Sequence, residues 1–292
     1  MKILPSRIYI KLMPLISILL FGTSLYAEKI AFLFLVRKNI FHENYWQDFI
    51  DTGRDKISVY IHSKDGVSSN SPFKKYELGD TVPTTWANSL KAEIELLKQA
   101  LKDETNTKFI FASESTLPFK DIPALHARAM QTDKSIFFYE PSPHSDPDNI
   151  CYEKRNLAEI PAEHRYKNTQ WVVLSRKHAQ LMVENANNYV DIISKYEADN
   201  ELYPATFLAS QQLLDEIEPV DITYVNWDRG GPFCFTNLYK NDQYALAHQA
   251  IRDGYFFGRK FAEYMDLSPL DVALSYRKKE PAKGLIEKWL LG

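Results

Sequence analysis

The amino-acid sequence predicts an α/β fold, in which a mostly parallel β-sheet carries helices on both faces. Short apolar runs, typical of strands buried on both sides, recur along the chain. Amphipathic segments with helical spacing separate these runs, and strands that alternate with helices form parallel sheets. The chain has 292 residues, 45% of them hydrophobic, which is enough for one large α/β domain or two small ones.

The predicted elements follow one another in the alternating order that this fold requires. Strands are predicted at residues 29–36, 57–62, 107–112, 135–139, 171–174 and 222–226. Helices are predicted around residues 45–50 and at 85–101, 122–130, 175–185, 244–253 and 269–276, and a further helix begins within 197–214. The second of these helices is amphipathic, because Leu90, Ile94 and Leu97 recur at helical spacing.

Residues 1–27 have the pattern of a targeting segment, and residues 28–292 are predicted to form a single domain. The basic residues of the segment are Lys2, Arg7 and Lys11. A short apolar core at residues 12–21 follows, and Ala27 is a candidate cleavage point. The core is short for a membrane span, so we expect a signal peptide that directs the protein to the secretory pathway or out of the cell. The alternative is an uncleaved N-terminal membrane anchor.

Overall charge and cysteine content exclude some classes of function. The formal net charge is -3, which argues against general nucleic-acid binding. Cys151 and Cys234 could pair in an oxidising compartment, but sequence alone does not show that they lie close enough. Two isolated cysteines do not make a zinc site.

Carboxylates that could hold a metal ion are sparse where ligands of such sheets bind, at the carboxyl ends of the strands. Glu114 stands between Ser113 and Ser115 after the third strand, an arrangement that suits a sugar hydroxyl better than a hard cation. Its alternative role is to cap a loop. Asp146 and Asp148 form an Asp-x-Asp in a proline-rich loop, where a turn is the favoured interpretation. We therefore predict no metal ligands.

Phosphate groups would have to be bound by cationic side chains, because the chain has no glycine-rich phosphate loop. Arg229 lies beside two glycines after the strand at 222–226, and Arg259 and Lys260 follow an aromatic run. Arginine or lysine can replace a metal on a diphosphate through charge-assisted hydrogen bonds. Each cluster taken alone is also compatible with a solvated turn.

Glu201 is the candidate general base. Asp199 or Asn200 is predicted to cap a helix that has Pro204 in its first turn, which places Glu201 in that turn. The positive end of the helix dipole favours an ionised carboxylate there, and an ionised carboxylate can accept a proton. The alternative is that Glu201 is only a favourable first-turn acid.

Eight segments, in order from about residue 29 to residue 261, resemble the core-2/I-branching glycosyltransferase family (glycosyltransferase family 14), closest to its plant-type branch. They are KIAFLFLV, VYIHSK, TVPTTW, KFIFASESTLPF, NTQWVVLSRKHAQLM, ADNELYPATFL, TYVNWDRGGP and FFGRKF. The resemblance implies a GT-A-like fold with a Rossmann-type sheet and an inverting, metal-independent transferase. Members of the family include β-1,6-N-acetylglucosaminyltransferases.

The resemblance also assigns roles to individual residues. It implies that Glu201 deprotonates the acceptor hydroxyl and that Lys260 contacts the diphosphate, with Arg229 as its partner and Arg252 as the other option. Val36, His62 and Ser63 match positions near the nucleotide base. Glu114, Trp171 and Trp227 would line the acceptor site, although Trp171 could equally be a core residue.

The resulting hypothesis is a glycosyltransferase that moves a sugar, which we expect to be N-acetylglucosamine, from a UDP-sugar to a glycan hydroxyl. The UDP-sugar is a co-substrate, and no cofactor and no nucleic-acid partner are expected. One alternative is a catalytically silent carbohydrate-binding protein of the same fold. Another is a metal-dependent transferase that uses Asp146 and Asp148.

Overall fold

The computed structural model describes residues 27–142, 157–227, 232–236 and 240–277. Several predictions from the sequence fall outside these ranges. They concern the leader at residues 1–26, the Asp146–Asp148 pair, Cys151 and Arg229. None of the helices in the described ranges is both long enough and apolar enough to span a membrane.

Eleven strands are present in the described part of the chain. They are β1 (Lys29–Val36), β2 (Ile57–Ser63), β3 (Asn106–Ser113), β4 (Leu117–Pro118), β5 (Ser135–Ile136), β6 (Tyr139–Pro141), β7 (Tyr166–Asn168), β8 (Val173–Ser175), β9 (Ile217–Glu218), β10 (Thr223–Val225) and β11 (Phe257–Arg259). Six of them form a central sheet in the order β2-β1-β3-β8-β5-β9. Only β8 runs antiparallel to its neighbours, so the sheet is mostly parallel, as the sequence predicts.

Two smaller sheets complete the fold. β10 and β11 are parallel, and β4 pairs with β11 in the opposite direction. β6 and β7 form an antiparallel pair. The three-stranded sheet needs a close approach at Gly258, where a Cβ atom would overlap the ring of Phe119. This approach brings the end of β11 beside the segment that follows β3, since the backbone N–H of Phe261 donates to the carbonyl of Ser115 at 2.9 Å.

Seven α-helices lie in the described ranges. They are α1 (Glu43–Asp51), α2 (Leu90–Ala100), α3 (Ile122–Ala129), α4 (Arg176–Glu184), α5 (Ala186–Ile193), α6 (Tyr203–Ser210) and α7 (Lys240–Arg252). Residues of α1, α3 and α7 belong to one buried apolar cluster, and residues of α2, α4, α5 and α6 belong to another. Successive β1 residues alternate between the two clusters, as side chains do on opposite faces of a strand. Helices therefore cover both faces of the central sheet.

Three helix predictions are wrong in detail. The helix predicted at 85–101 begins only at Leu90, because residues before it form a loop in which Ala87 has a positive φ of 68°. The segment predicted as a helix at 269–276 forms a short 3₁₀ turn, Ser268–Leu270, and further turns. In the segment at 269–276 a tertiary contact competes with the local helix pattern, because the hydroxyl of Tyr276 donates to a backbone carbonyl of β4. The third is the prediction that Glu201 lies in the first turn of a helix, because Glu201 precedes α6.

Candidate active site

A cleft of about 1070 Å³ opens at the carboxyl ends of β1, β2 and β3. This is the edge at which parallel sheets bind ligands. Residues predicted from the sequence that line it are Val36, His62, Glu114, Trp171, Glu201, Trp227 and Lys260. Segments far apart in the chain therefore meet around one cavity. The volume is that of a site for a ligand the size of a drug or a cofactor, or slightly larger.

Two of the predicted donor-site residues do not line the cleft. Ser63 is buried, and its hydroxyl faces the carbonyls of Arg37 and Lys38, so it shapes the turn after β2. Arg252 is exposed on α7, and its guanidinium donates to the side chain of Gln249. It therefore has no place in the described wall of the cleft.

Glu201 reaches the cleft from a 3₁₀ turn, Asp199–Glu201, that precedes α6. The prediction that Asp199 or Asn200 caps the helix after it is wrong, because the N-cap of α6 is Leu202 and makes no side-chain cap bond. The carboxylate of Asp199 instead accepts N–H groups from the start of α2. Glu201 thus lies just before α6, and its position depends on contacts with distant segments.

Arg259 is a buried cation in the wall of the cleft. Its guanidinium carbon lies 3.9 Å from the centre of the Trp171 ring, and its Nε has no hydrogen-bond partner. Burial lowers the pKa of Arg259 to about 9, against the opposing effect of the charges of Glu114 and Glu201. The side chain is therefore still protonated at neutral pH. A cation in the wall of a cleft can bind an anionic oxygen through charge-assisted hydrogen bonds.

Lys260 lies next to Arg259 and also lines the cleft. Burial, and then the charge of Arg259, lowers the pKa of Lys260. The backbone N–H of Phe235 donates to the Lys260 carbonyl at 2.6 Å, which ties this segment to the loop after β10. The sequence indicated the Arg259–Lys260 pair as one of two cationic clusters, but the predicted partner of Lys260 was Arg229, with Arg252 as the other option.

A sequence profile of the core-2/I-branching enzymes matches residues 30–245, which is well over half of the chain. The chain belongs to the core-2/I-branching enzyme family. This finding confirms the family predicted from the sequence, and together with the mostly parallel sheet it confirms the predicted fold class.

One plant relative and two solved structures are distantly similar to this member of the core-2/I-branching family. Glycosyltransferase BC10 of Oryza sativa subsp. japonica is 26% identical over 234 residues, an alignment that covers 68% of this chain and 58% of the rice protein. The chain thus spans less than two thirds of that relative. Galactosyltransferase LgtC, solved with donor and acceptor sugar analogs, matches 78% of this chain and 86% of its own at 11% identity and a TM-score of 0.38. The bifunctional glycosyltransferase WbbM matches 86% of this chain and 50% of its own, with 10% identity and a TM-score of 0.43.

Val36 and His62, which the sequence predicts to lie near the nucleotide base, are found at the ends of β1 and β2 and line the cleft. The ring of His62 accepts the backbone N–H of Val82 at 3.0 Å through Nε2. Burial lowers the pKa of His62, so the imidazole is neutral at pH 7 with Nε2 unprotonated. His62 therefore anchors the loop that leads to α2.

Exposed aromatic side chains lie around the cleft. Trp227 is 59% exposed, and two residues that sequence reasoning missed, Trp86 and Phe138, are 85% and 42% exposed. Large aromatic rings that are exposed to water beside a cavity are typical of surfaces that stack on a ligand ring. Trp171 differs from them, because it is 6% exposed and Arg259 covers one face of its ring. A tryptophan in a polar, proline-containing loop was the signal that could have revealed Trp86.

Within the described ranges, no group of three or more histidine, cysteine, aspartate or glutamate side chains is arranged to hold a metal ion. Cys234 is exposed, and Cys151 lies outside these ranges, so the pairing that the sequence left open is not tested.

Proposed function

We propose that this protein is an inverting, metal-independent glycosyltransferase that moves N-acetylglucosamine from a UDP-sugar to a hydroxyl group of a glycan, with Glu201 as the general base. The observation that carries the proposal is the meeting, in one cleft, of the Glu201 carboxylate with the adjacent cations Arg259 and Lys260. A carboxylate and a cationic pair are the two groups that a single displacement at an anomeric carbon requires.

Glu201 would act on the acceptor. Its carboxylate takes the proton of the acceptor hydroxyl while the hydroxyl oxygen attacks the anomeric carbon from the side opposite the diphosphate. The new glycosidic bond forms as the bond from that carbon to the diphosphate oxygen breaks, and the electron pair of the broken bond leaves with UDP. One displacement inverts the anomeric centre, so a single base is sufficient.

Arg259 and Lys260 would act on the leaving group. Negative charge grows on the diphosphate as the bond to the sugar breaks, and cationic donors that are already in place stabilise it without reorganisation. Lys260 is the family-implied diphosphate ligand, and Arg259 is the cation that lies beside it. We assign to Arg259 the partner role that the sequence left between Arg229 and Arg252, because Arg259 is buried in the cleft wall with an unpartnered Nε.

The remaining cleft residues divide between the two substrates. Val36 and His62, at the ends of β1 and β2, would face the nucleotide. Trp227 has an exposed ring for stacking on an acceptor sugar, and Glu114 offers a carboxylate to a sugar hydroxyl. Trp171 would support Arg259 rather than stack on a sugar, since its ring face is covered.

The test is UDP release from a panel of UDP-sugars with a mixed glycan acceptor pool, with and without EDTA. Wild type, Glu201→Gln and Glu140→Gln are compared, the last being a matched exchange at another carboxylate of the cleft wall. We expect EDTA-resistant turnover that falls by about 10²–10⁴-fold only in Glu201→Gln. Equal turnover of wild type and Glu201→Gln would remove Glu201 as the base, and loss of turnover in EDTA would favour a metal-dependent enzyme.

A different outcome would favour the carbohydrate-binding alternative. In that case wild type binds UDP or glycans but releases no UDP from any donor.

We also propose that the protein is exported or anchored through residues 1–27. N-terminal sequencing of the expressed protein distinguishes cleavage near Ala27 from retention of the segment.

A further inference from the structure

The turn that carries Glu201 is attached to the first turn of α2. The side-chain amide of Asn200 donates two hydrogen bonds, to the hydroxyl of Ser89 at 2.9 Å and to Oε1 of Glu93 at 2.8 Å. One carboxylate oxygen of Asp199 accepts the backbone N–H groups of Ser89 and Leu90, at 3.0 and 3.2 Å. Both residues before Glu201 are thus held by a helix more than 100 positions away in sequence.

The same turn is held on two other sides. The carbonyl of Ala87 accepts the N–H groups of Ala198 and Asp199, so the loop before α2 pairs with the start of the turn. From β7, the amide of Asn168 donates to the carbonyl of Asn200 at 3.3 Å and accepts the N–H of Ala205, in the first turn of α6, at 3.1 Å. These contacts fix the backbone on each side of Glu201.

Glu93 is the unusual member of this network, because the residue is only 3% exposed and the groups around its carboxyl are neutral amides or other acids. Side-chain amides of Asn200 and Gln170 donate to it, and the charged groups near it are Asp199 and Glu201. Burial, reinforced by these negative charges, holds the pKa of Glu93 well above its ordinary value. Gln170 also lines the cleft, so the network extends from the interior of α2 to the cleft wall.

We propose that Glu93 is a positioning residue for the reaction: its buried carboxyl group holds Asn200, and Asn200 holds the Glu201 carboxylate at the acceptor hydroxyl. This inference rests on the proposed function, since it assigns a partner to the proposed base. An ionised Glu93 would place a second negative charge behind Glu201, whereas an uncharged hydrogen-bonding group holds the turn without one. Glu93 touches neither substrate in this scheme.

The test uses two substitutions of similar volume in the full chain. Glu93→Leu removes the acceptor of the Asn200 amide, and Glu93→Gln keeps an acceptor without charge. We expect Glu93→Leu to lower kcat about 10²-fold, because a shift of about 1 Å in a reacting group costs that much. The Kd for UDP and the KM for the donor should stay within about twofold, and Glu93→Gln should restore most of kcat. Leu97→Ala, one turn further along α2, is the matched control for lost stability.

Hydrogen–deuterium exchange measures the attachment without any turnover. In Glu93→Leu the backbone amides of residues 198–201 should exchange about tenfold faster than in wild type, and in Leu97→Ala they should not. Ser89→Ala, which removes the other acceptor of Asn200, should give a smaller change in the same direction and serves if Glu93→Leu does not fold. Unchanged exchange in both Glu93→Leu and Ser89→Ala would overturn the inference.

Kinetic results separate this inference from the proposed function. Absence of turnover in wild type would count against the proposed function alone, and the exchange data would still decide the attachment. Turnover in wild type with an equal kcat loss in Glu93→Leu and Leu97→Ala would overturn the positioning role, because the loss would then follow stability. A Glu93→Gln enzyme as slow as Glu93→Leu would also overturn it.

Discussion

Replacing Glu93 with glutamine should stabilise the folded protein at neutral pH, by an amount that grows as the pH rises. The Glu93 carboxyl is buried with amides and two other acids around it, and its pKa in the folded state lies well above the ordinary value of 4.5. Between those two pKa values the wild-type chain must take up a proton when it folds. The free energy of unfolding of the wild-type protein therefore falls with rising pH, whereas the glutamine variant lacks this pH-dependent loss.

The magnitude follows from proton linkage. A single proton bound only in the folded state reduces the free energy of unfolding by about 1.4 kcal/mol per pH unit. For a domain of this size, about 1 kcal/mol corresponds to a shift of roughly 2–4 °C in Tm. From about pH 5 upwards, the Tm of Glu93→Gln should thus gain about 3–6 °C on wild type for each pH unit, until the folded-state pKa of Glu93 is reached.

The assay is thermal unfolding of both proteins, followed by circular dichroism or dye fluorescence, at one-unit intervals from pH 5 to pH 8. Asp191→Asn is the matched control, because it exchanges an exposed acid of α5 for its amide and reports the effect of one lost charge. Asp199 is present in both proteins, so its own raised pKa cancels in the difference. A Tm difference between Glu93→Gln and wild type that is constant over this range, or that shrinks with rising pH, would show that Glu93 is ionised in the folded protein.

Two further predictions concern the cleft. Arg259→Met removes a buried charge whose Nε is unpartnered, so the free energy of unfolding should stay the same or rise, while turnover should fall about 10²–10³-fold. Arg252→Met, at an exposed arginine outside the cleft wall, is the control. Equal kcat values for the two variants would contradict the role assigned to Arg259. Trp227→Ala removes an exposed ring and should raise the KM for the acceptor about tenfold while the Kd for UDP stays constant. Initial rates measure the KM, and equilibrium binding measures the Kd. A change in the Kd for UDP instead would place Trp227 at the donor.

The sheet and the position of the cleft could be predicted because their signals are local. Apolar runs such as Lys29–Val36 need only their own sequence to indicate a strand buried on both faces, and the run ending at Ser113 does the same. The rule that ligands bind at the carboxyl ends of such strands then points to Glu114, and the family resemblance adds His62. Both residues line the observed cleft.

Partners that are distant in sequence could not be predicted. Asp199 precedes a helix and has the residue type of an N-cap, so local rules assign it to its own helix, but it accepts N–H groups from α2. Glu93 falls within an amphipathic pattern, and nothing in that pattern shows that Asn200 is its partner. Arg259 and Arg229 have equally favourable local contexts, and the contact with Trp171 that buries Arg259 exists only in the folded chain.

The location of Glu201 explains why so many of its supports are non-local. A 3₁₀ turn of three residues that begins after Ala198, a non-glycine residue with a φ of 58°, has few hydrogen bonds of its own and little intrinsic stability. A base at the acceptor hydroxyl nevertheless needs a fixed position, because small displacements are costly. Hydrogen bonds with α2, with the loop before it and with Asn168 hold the turn in that position. Rigid elements around a short turn can thus fix the position of a carboxylate at the cleft.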